Sequence, residues 1–253
     1  MYWSQLLILV DFSIHHTISI NMIYYGIDLE TTGLDPETCQ ILSIGLVQEN
    51  TNTADIVPVN ELPYIHIGIA HDKLRGDLQA FGMNAKIIST LSEYVIGVRT
   101  GKIDTMGYAE YDVIVQDVQD CIPVLLEFIR RTAPPADLSK MILPDGRIRI
   151  TGAGKNLGTF DIKFLESIPG FTDSFVISHR TIDPSFMYTV FDLDNGVPGL
   201  SECKKRLLQS YPNAFDSDVV THTAIDDARD IIQLVRHATD LYGKELENAK
   251  YTS

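Results

Sequence analysis

The sequence is poor in positive charge. Its 253 residues include 20 Lys and Arg against 34 Asp and Glu, which gives a net charge of −14 at pH 7. A surface with this balance repels polyanions, so it disfavours a protein that binds nucleic acid passively. A nucleic-acid ligand would need local basic groups or bound cations to offset the field. The charge is compatible with a metal-dependent enzyme that acts on phosphates.

Cysteines are also few. Cys39, Cys121 and Cys203 lie far apart, are odd in number and form neither a CxxC pair nor a zinc-binding spacing. This usage disfavours a disulfide framework or a structural zinc site. It indicates reduced thiols in a cytoplasmic protein.

Long apolar runs are missing as well. The stretch Leu6–Val10 is short and Asp11 interrupts it, whereas a membrane span needs about 20 apolar residues. Residues 1–21 contain no Lys or Arg, which a signal peptide would carry at its start. We therefore expect no membrane association. We expect residues 1–21 to be an N-terminal extension of doubtful role, with the functional chain starting near Met22.

The order of predicted elements indicates an α/β fold. Apolar, β-branched stretches predict strands over residues 22–29, 39–49, 62–70, 147–154 and 179–188. Helical spacing predicts helices over residues 80–95, 108–132, 158–168, 198–210 and about 223–242. Residues 133–140 are expected to form a loop. Three successive strands followed by alternating elements predict a mixed five-stranded sheet, an antiparallel meander plus parallel strands, flanked by helices. We expect one domain over residues 22–245 and a tail over 246–253.

Two acids interrupt the first predicted strand. In the stretch YYGIDLETTG, Asp28 and Glu30 lie two positions apart, so both side chains project from the same face of the strand. Two carboxylates at this spacing repel each other unless a cation lies between them, and a hard divalent ion such as Mg²⁺ would neutralise both. The alternative is an exposed strand end with two solvated acids.

Two later stretches add further candidates. Asp161 follows a Gly-rich strand exit and opens a short helix, where an acid is also favoured by the helix dipole alone. In THTAIDDA, Thr223 and Asp226 form a capping-box pattern that starts the last helix. His222 would then lie just before this helix and Asp227 in its first turn. A histidine beside a metal-binding carboxylate suits a general base, while a surface histidine and a solvated acid are the alternative.

Taken together, DLETTG, FDIKFL and HTAIDDA, in this order, resemble the three exonuclease motifs of the DEDD superfamily. The histidine five positions before the last aspartate is similar to the DEDDh branch. That branch includes the proofreading subunit of bacterial DNA polymerase III, oligoribonuclease and phage-type exonucleases. The resemblance covers roughly residues 23–238. It implies a ribonuclease H-like fold and a 3′→5′ exonuclease that releases 5′-mononucleotides from single-stranded nucleic acid, with DNA favoured.

The resemblance also implies roles for individual residues. The four acids, Asp28, Glu30, Asp161 and Asp227, would hold two divalent ions, Mg²⁺ or Mn²⁺, and His222 would be the general base. The turn after the first strand would contact the 3′-terminal nucleotide through Thr31, Thr32, Gly33 and Leu34, with Leu34 wedged against the last base. Phe160 and Phe164 would pack beneath the site or beside the substrate. Asn156 and Lys155 are candidate substrate contacts, and the basic candidates for phosphate are Lys73, Arg75, Lys155 and Arg180.

Several alternative functions stay open. The second motif, GKNLGTFD, lacks the His-Asn-Ala spelling common in proofreading subunits, and a long interval precedes it. An oligoribonuclease-like RNA exonuclease, a non-catalytic nucleic-acid-binding module on the same fold and a ribonuclease H-type endonuclease are the alternatives. The expected partners are a single-stranded 3′ end and a polymerase acting in trans. The expected compartment is the cytoplasm, or the host cytoplasm for a phage-encoded member.

Overall fold

A mixed sheet forms the centre of the molecule. The structure, a computed structural model, describes residues 22–52, 57–102, 114–215 and 217–252, so the expected extension 1–21 lies outside the described residues. The strands are β1 Ile23–Thr31, β2 Ile41–Asn50, β3 Tyr64–Ala70, β4 Ile114–Asp117, β5 Ile148–Ile150, β6 Gly152–Ala153 and β7 Phe175–Ile177. The helices are α1 Leu78–Met83, α2 Ala85–Arg99, α3 Cys121–Thr132, α4 Pro135–Met141, α5 Asp161–Glu166, α6 Phe171–Ser174, α7 Pro184–Met187, α8 Leu200–Ser210 and α9 Ala224–Thr252.

Five of the strands form one sheet in the order β4-β3-β2-β1-β6. The pairs β1–β2 and β2–β3 are antiparallel, while β3–β4 and β1–β6 are parallel. The prediction of an α/β protein with a mixed five-stranded sheet flanked by helices is therefore confirmed. The strands β5 and β7 form a separate parallel pair. In the described part of the chain, no helix is both long and apolar enough to cross a membrane.

Alternation along β1 decides which layer covers each face of the sheet. Tyr25 and Ile27 point to one face and pack with Leu125 and Ile129 of α3. Tyr24 points to the other face, where the buried side of α9 covers it. Asp28 and Glu30 are separated from Tyr24 by an even number of positions, so their side chains point to the same face as that of Tyr24. The two acids therefore lie on the face that α9 covers.

The predicted helix over 108–132 is wrong over residues 114–117. Ile114–Asp117 is a strand, β4, that pairs in parallel with β3, and α3 begins only at Cys121. Residues 108–113 of that prediction lie outside the described residues. The helical spacing of apolar residues in this segment gives no sign that the edge of β3 is available for backbone hydrogen bonds. Pairing with β3 therefore overrides the local pattern.

Residues 133–140 also differ from the prediction, because Pro135–Met141 form helix α4 and not a loop. Pro135 occupies the first turn of this helix. Proline is tolerated there because the first helical N–H groups have no partner within the helix, and its fixed φ suits a helix start. The two consecutive prolines that favoured a loop therefore mark a helix N-terminus.

The fourth and fifth predicted strands are rearranged. Residues 147–154 split at Thr151 into β5, which pairs with β7, and β6, which pairs with β1. Residues 179–188 contribute only an isolated bridge between Ala153 and Ile182. Helix α7 then begins at Pro184, where the Asp183 carboxylate accepts a hydrogen bond from Ser185 N at 2.9 Å.

Two glycines allow α9 to lie unusually close to the sheet. A Cβ atom on Gly45 would lie 2.3 Å from the carbonyl oxygen of Ala224, the first residue of α9. A Cβ atom on Gly26 would lie 2.5 Å from the carbonyl oxygen of Ala228. Since Gly45 is the cross-strand partner of Asp28, the missing side chain brings the start of α9 directly against the strand that carries the acids.

Replacing Gly45 by alanine should lift the start of α9 from the sheet. We expect Gly45→Ala to lower the free energy of unfolding by roughly 1–3 kcal/mol, the usual cost of overpacking. Urea denaturation measures this change. Gly196→Ala is the matched control, because a Cβ there meets nothing within 4 Å, and its unfolding free energy should stay close to the wild-type value. Equal stability of both variants would contradict the close-packing argument.

Candidate functional site

The first two acids lie on β1 beneath α9. Asp28 pairs with Gly45 and Glu30 with Ser43 across the antiparallel β1–β2 ladder. Glu30 is only 9% exposed, and the β1–β2 register shifts directly after it. The strand thus presents both carboxylates in a covered space between the sheet and the final helix.

Asp161 reaches the same space from the first residue of α5. Its side chain is 3% exposed, and its carboxylate accepts hydrogen bonds from its own N–H and from the N–H of Leu29. Leu29 lies between Asp28 and Glu30 in the chain. The hydrogen bond therefore fixes Asp161 against the part of β1 that carries the other two acids.

Asp227 and His222 complete the group from the start of α9. Asp227 lies in the first turn and is 5% exposed, and its carboxylate accepts a hydrogen bond from the N–H of Thr221. His222 is exposed and adopts a left-handed backbone conformation with φ of 52°. One ligand atom each of Glu30, His222 and Asp227 lies within 4.8 Å of the others. These three side chains could hold a metal ion.

Burial raises the pKa of every acid in the group, and repulsion from other acids of the group adds to this effect at Asp28 and Glu30. Burial raises the pKa of Asp28 well above its usual value, and the charges of Asp161, Asp227 and Glu30 raise it further. Burial, followed by the charge of Asp227, raises the pKa of Glu30 to about 7. Burial raises the pKa of Asp161 to about 7, and burial with the nearby Asp230 does the same for the pKa of Asp227. Without a cation, the four carboxylates therefore resist ionisation together at neutral pH.

Unpartnered polar atoms also collect around Glu30. Among the described side chains, Asp227 Oδ1, Ser43 Oγ and Asn84 Oδ1 are buried and have no hydrogen-bond partner. Buried polar atoms normally have partners, so such a cluster indicates a place where water or an ion completes the structure. The available donors are hard carboxylate oxygens plus an imidazole. This donor set fits a divalent cation of the Mg²⁺ or Mn²⁺ type.

Asn84 belongs to the site, although the sequence did not single it out. It precedes α2 and is buried, and its Nδ2 donates to Thr31 O at 3.0 Å. Its amide also hydrogen-bonds the Glu30 carboxylate and lowers the pKa of that acid, which opposes the effect of burial. A single asparagine before a helix carries no local signal for this role, because the contact joins positions 53 residues apart.

The turn that follows β1 is fixed by its own hydroxyl groups. Thr31 Oγ1 donates to Gly33 O at 2.8 Å, and Thr32 Oγ1 accepts from Gln40 N at 2.8 Å. A Cβ on Gly33 would lie 2.5 Å from both Asp77 Oδ2 and Cys39 Sγ. By contrast, the Leu34 side chain is 81% exposed. Of the four residues expected to contact a substrate, Leu34 is the one that presents a free side chain.

The residues around the second motif also include both exposed side chains and side chains that are packed or hydrogen-bonded. Asn156 is exposed with φ of 57°, and its N–H donates to Asp183 Oδ2 at 3.0 Å. Phe160 is partly buried and packs on the core residue Phe164 with a ring separation of 5.1 Å. Lys155 Nζ donates to Pro198 O at 2.8 Å, which ties it to a neighbouring loop. The other basic candidates, Lys73, Arg75 and Arg180, are exposed.

The raised pKa values predict how stability depends on pH. Each acid is easier to protonate in the folded chain, so folding is favoured at low pH, and this contribution is lost as pH rises from about 4 through about 7. With chelator present, the melting temperature should therefore fall by several degrees between pH 5 and pH 8. Mg²⁺ should restore it at pH 8 much more than at pH 5. Differential scanning calorimetry measures both changes.

Asp227→Asn is the control for this experiment, because it removes one repelling charge. It should make the chelated protein more stable at pH 8 and weaken the effect of Mg²⁺. Stability that is independent of pH in this range would contradict a cluster of buried, repelling acids.

Comparison of the chain with known protein families and curated proteins identifies no relative. No family model matches the chain, and no curated protein matches it. The group consists of acids from β1, α5 and α9 and an exposed histidine, and three of its side chains, Glu30, His222 and Asp227, could hold a metal ion.

Proposed function

We propose that the protein is a metal-dependent 3′→5′ exonuclease that removes 5′-mononucleotides from single-stranded nucleic acid. The observation that carries the proposal is the convergence of Asp28, Glu30, Asp161 and Asp227 in one covered space. His222 lies within 4.8 Å of two of them. This is the donor set that the three sequence motifs imply, supplied by three separate elements of the fold.

The carboxylates have a defined task in this proposal. Asp28, Glu30, Asp161 and Asp227 would hold two divalent ions, Mg²⁺ or Mn²⁺. Such ions would offset the acidic field that repels a phosphodiester and would acidify an attacking water molecule. The Leu29 N–H keeps Asp161 oriented, and the Asn84 amide does the same for Glu30.

His222 would move the proton. Its imidazole lies beside Glu30 and Asp227, and its exposure leaves a path by which the proton can pass to solvent. A neutral ring nitrogen would accept a proton from the water that attacks the terminal phosphodiester. The bond from phosphorus to the 3′ oxygen of the preceding nucleotide would break, and that oxygen would take up a proton from solvent to become the new 3′ hydroxyl. The phosphate would depart with the released nucleotide.

The architecture supports a ribonuclease H-like assignment. An antiparallel β1–β2–β3 meander is extended by parallel strands at both edges, and the first acids lie on the strand next to β6. The remaining acids begin helices that meet this strand. A non-catalytic module on the same fold has no need to keep four repelling acids together, so the intact group favours the enzyme.

The negative charge of the protein favours a single-stranded substrate over a duplex. With a net charge of −14, affinity would come from bound cations and from contacts with unpaired bases. Exposed Leu34 beside the first acids is suited to contact a terminal base. We propose single-stranded DNA as the favoured substrate, presented by a polymerase in trans. Faster digestion of RNA in a side-by-side assay would favour the oligoribonuclease-like alternative, and cleavage of circular single strands would indicate an endonuclease.

Loss of a central acid should abolish hydrolysis. We expect Asp227→Asn and Glu30→Gln to lower the rate by about 10³-fold or more, because the cation charge is then no longer held where it stabilises the transition state. The assay follows a 3′-end-labelled DNA oligonucleotide in Mg²⁺. The exposed Glu37→Gln is the control and should retain the wild-type rate. Wild-type rates in the two site variants would refute the proposed function.

His222→Ala separates a general base from a metal ligand. We expect kcat to fall by roughly 10²–10⁴-fold, the usual contribution of general base catalysis, while the affinity for Mn²⁺ stays within a few-fold of wild type. Oligonucleotide digestion gives kcat, and isothermal titration calorimetry gives the affinity. A parallel loss of affinity would identify His222 as a ligand of the metal.

A further inference from the structure

Lys204 is a buried lysine that joins three parts of the chain. Its residue is 4% exposed on α8, and its Nζ donates to Asp230 Oδ2 of α9 at 2.5 Å and to Val219 O at 2.9 Å. The ammonium also lies 4.8 Å from the centre of the Phe215 ring. A buried ammonium is costly unless it is paired and hydrogen-bonded, and here both conditions are met by groups from α9 and from the segment before it.

That segment ends at His222. Val219 lies three positions before the histidine, and the N–H of Thr221 donates to the Asp227 carboxylate. His222 then adopts its left-handed conformation, and α9 begins at Ala224. A left-handed non-glycine residue costs on the order of 1–3 kcal/mol and persists only when its surroundings hold it. The described contacts of the chain just before His222 include the bond from Lys204 to Val219 O, a bond from Ser201 Oγ to Asp218 O at 3.0 Å, and the bond from Thr221 N–H to Asp227.

We propose that Lys204 is a positioning residue for His222. By holding Val219 O and Asp230 together, its ammonium fixes the segment before α9 against the helix and keeps the His222 imidazole beside Glu30 and Asp227. The inference rests on the proposed role of His222 as the proton acceptor. Lys204 itself does not contact the reacting groups in this assignment.

The test must separate the hydrogen bond from the charge. Lys204→Met alone would leave Asp230 buried without its cation, so the informative variant is Lys204→Met combined with Asp230→Asn, here called the neutral pair. Asp230→Asn alone is the reference, because it keeps the bond from Lys204 to Val219. Lys205→Met is the matched control, since Lys205 is an exposed lysine on the same helix. Circular dichroism and thermal melting verify that each variant folds.

The first measurement is a double-mutant cycle with His222→Ala. We expect the neutral pair to lower kcat by about 10–100-fold relative to Asp230→Asn, with little change in KM. Added to His222→Ala, the neutral pair should cause no more than about a twofold further loss, because its effect passes through the histidine. Lys204→Arg should retain most activity, since it keeps the donors, and Lys205→Met should match wild type. If the loss of kcat in the combined variant equals the product of the losses caused by the neutral pair and by His222→Ala, the assignment is overturned.

The second measurement needs no catalysis. Mn²⁺ bound by the acids should broaden the NMR signals of the His222 ring in the wild-type protein, and the broadening should weaken in the neutral pair because the ring moves away. Undiminished broadening in the neutral pair would overturn the role of Lys204 while leaving the proposed function intact. Absence of both broadening and nuclease activity in the wild type would overturn the proposed function and this inference together.

Discussion

Repulsion among four carboxylates is the constraint around which the described structure is arranged. Asp28 and Glu30 come from β1, Asp161 from α5 and Asp227 from α9. Burial raises the pKa of each of them, and neighbouring negative charge adds to this effect at Asp28, Glu30 and Asp227. A fold gains nothing in stability by gathering such groups. The arrangement makes sense when cations supply the missing charge, because the same repulsion then becomes affinity for the metal.

Several features beside the acids hold them in place. The missing side chains of Gly26 and Gly45 allow α9 to approach the sheet backbone, and this approach brings Asp227 to the strand that carries Asp28. The Leu29 N–H and the Asn84 amide hold Asp161 and Glu30. Their common effect is to orient the carboxylates, which would reduce the cost of assembling the proposed metal centre.

The acidic surface bears on how a nucleic acid would be held. Lys155, which the sequence offered as a phosphate contact, is committed to Pro198 O, so it stabilises a loop next to the second motif. The exposed groups near the turn after β1 include apolar Leu34, basic Arg75 and the acids Asp35, Glu37 and Asp77. A ligand that brings unpaired bases and reaches cations with its terminal phosphate fits this surface better than a duplex, whose affinity depends on many phosphate contacts.

The sequence by itself determined the elements with strong local signals. Apolar runs located β1 and β2, and alternation located β3. The Thr223 pattern located the start of α9, and motif spacing selected the acids and His222. Only the tertiary structure decided that Ile114–Asp117 is a strand, that Asn84 meets Glu30 and that Lys204 holds the segment before His222. These three depend on partners distant in the chain, and a local pattern of residue types carries no information about such partners.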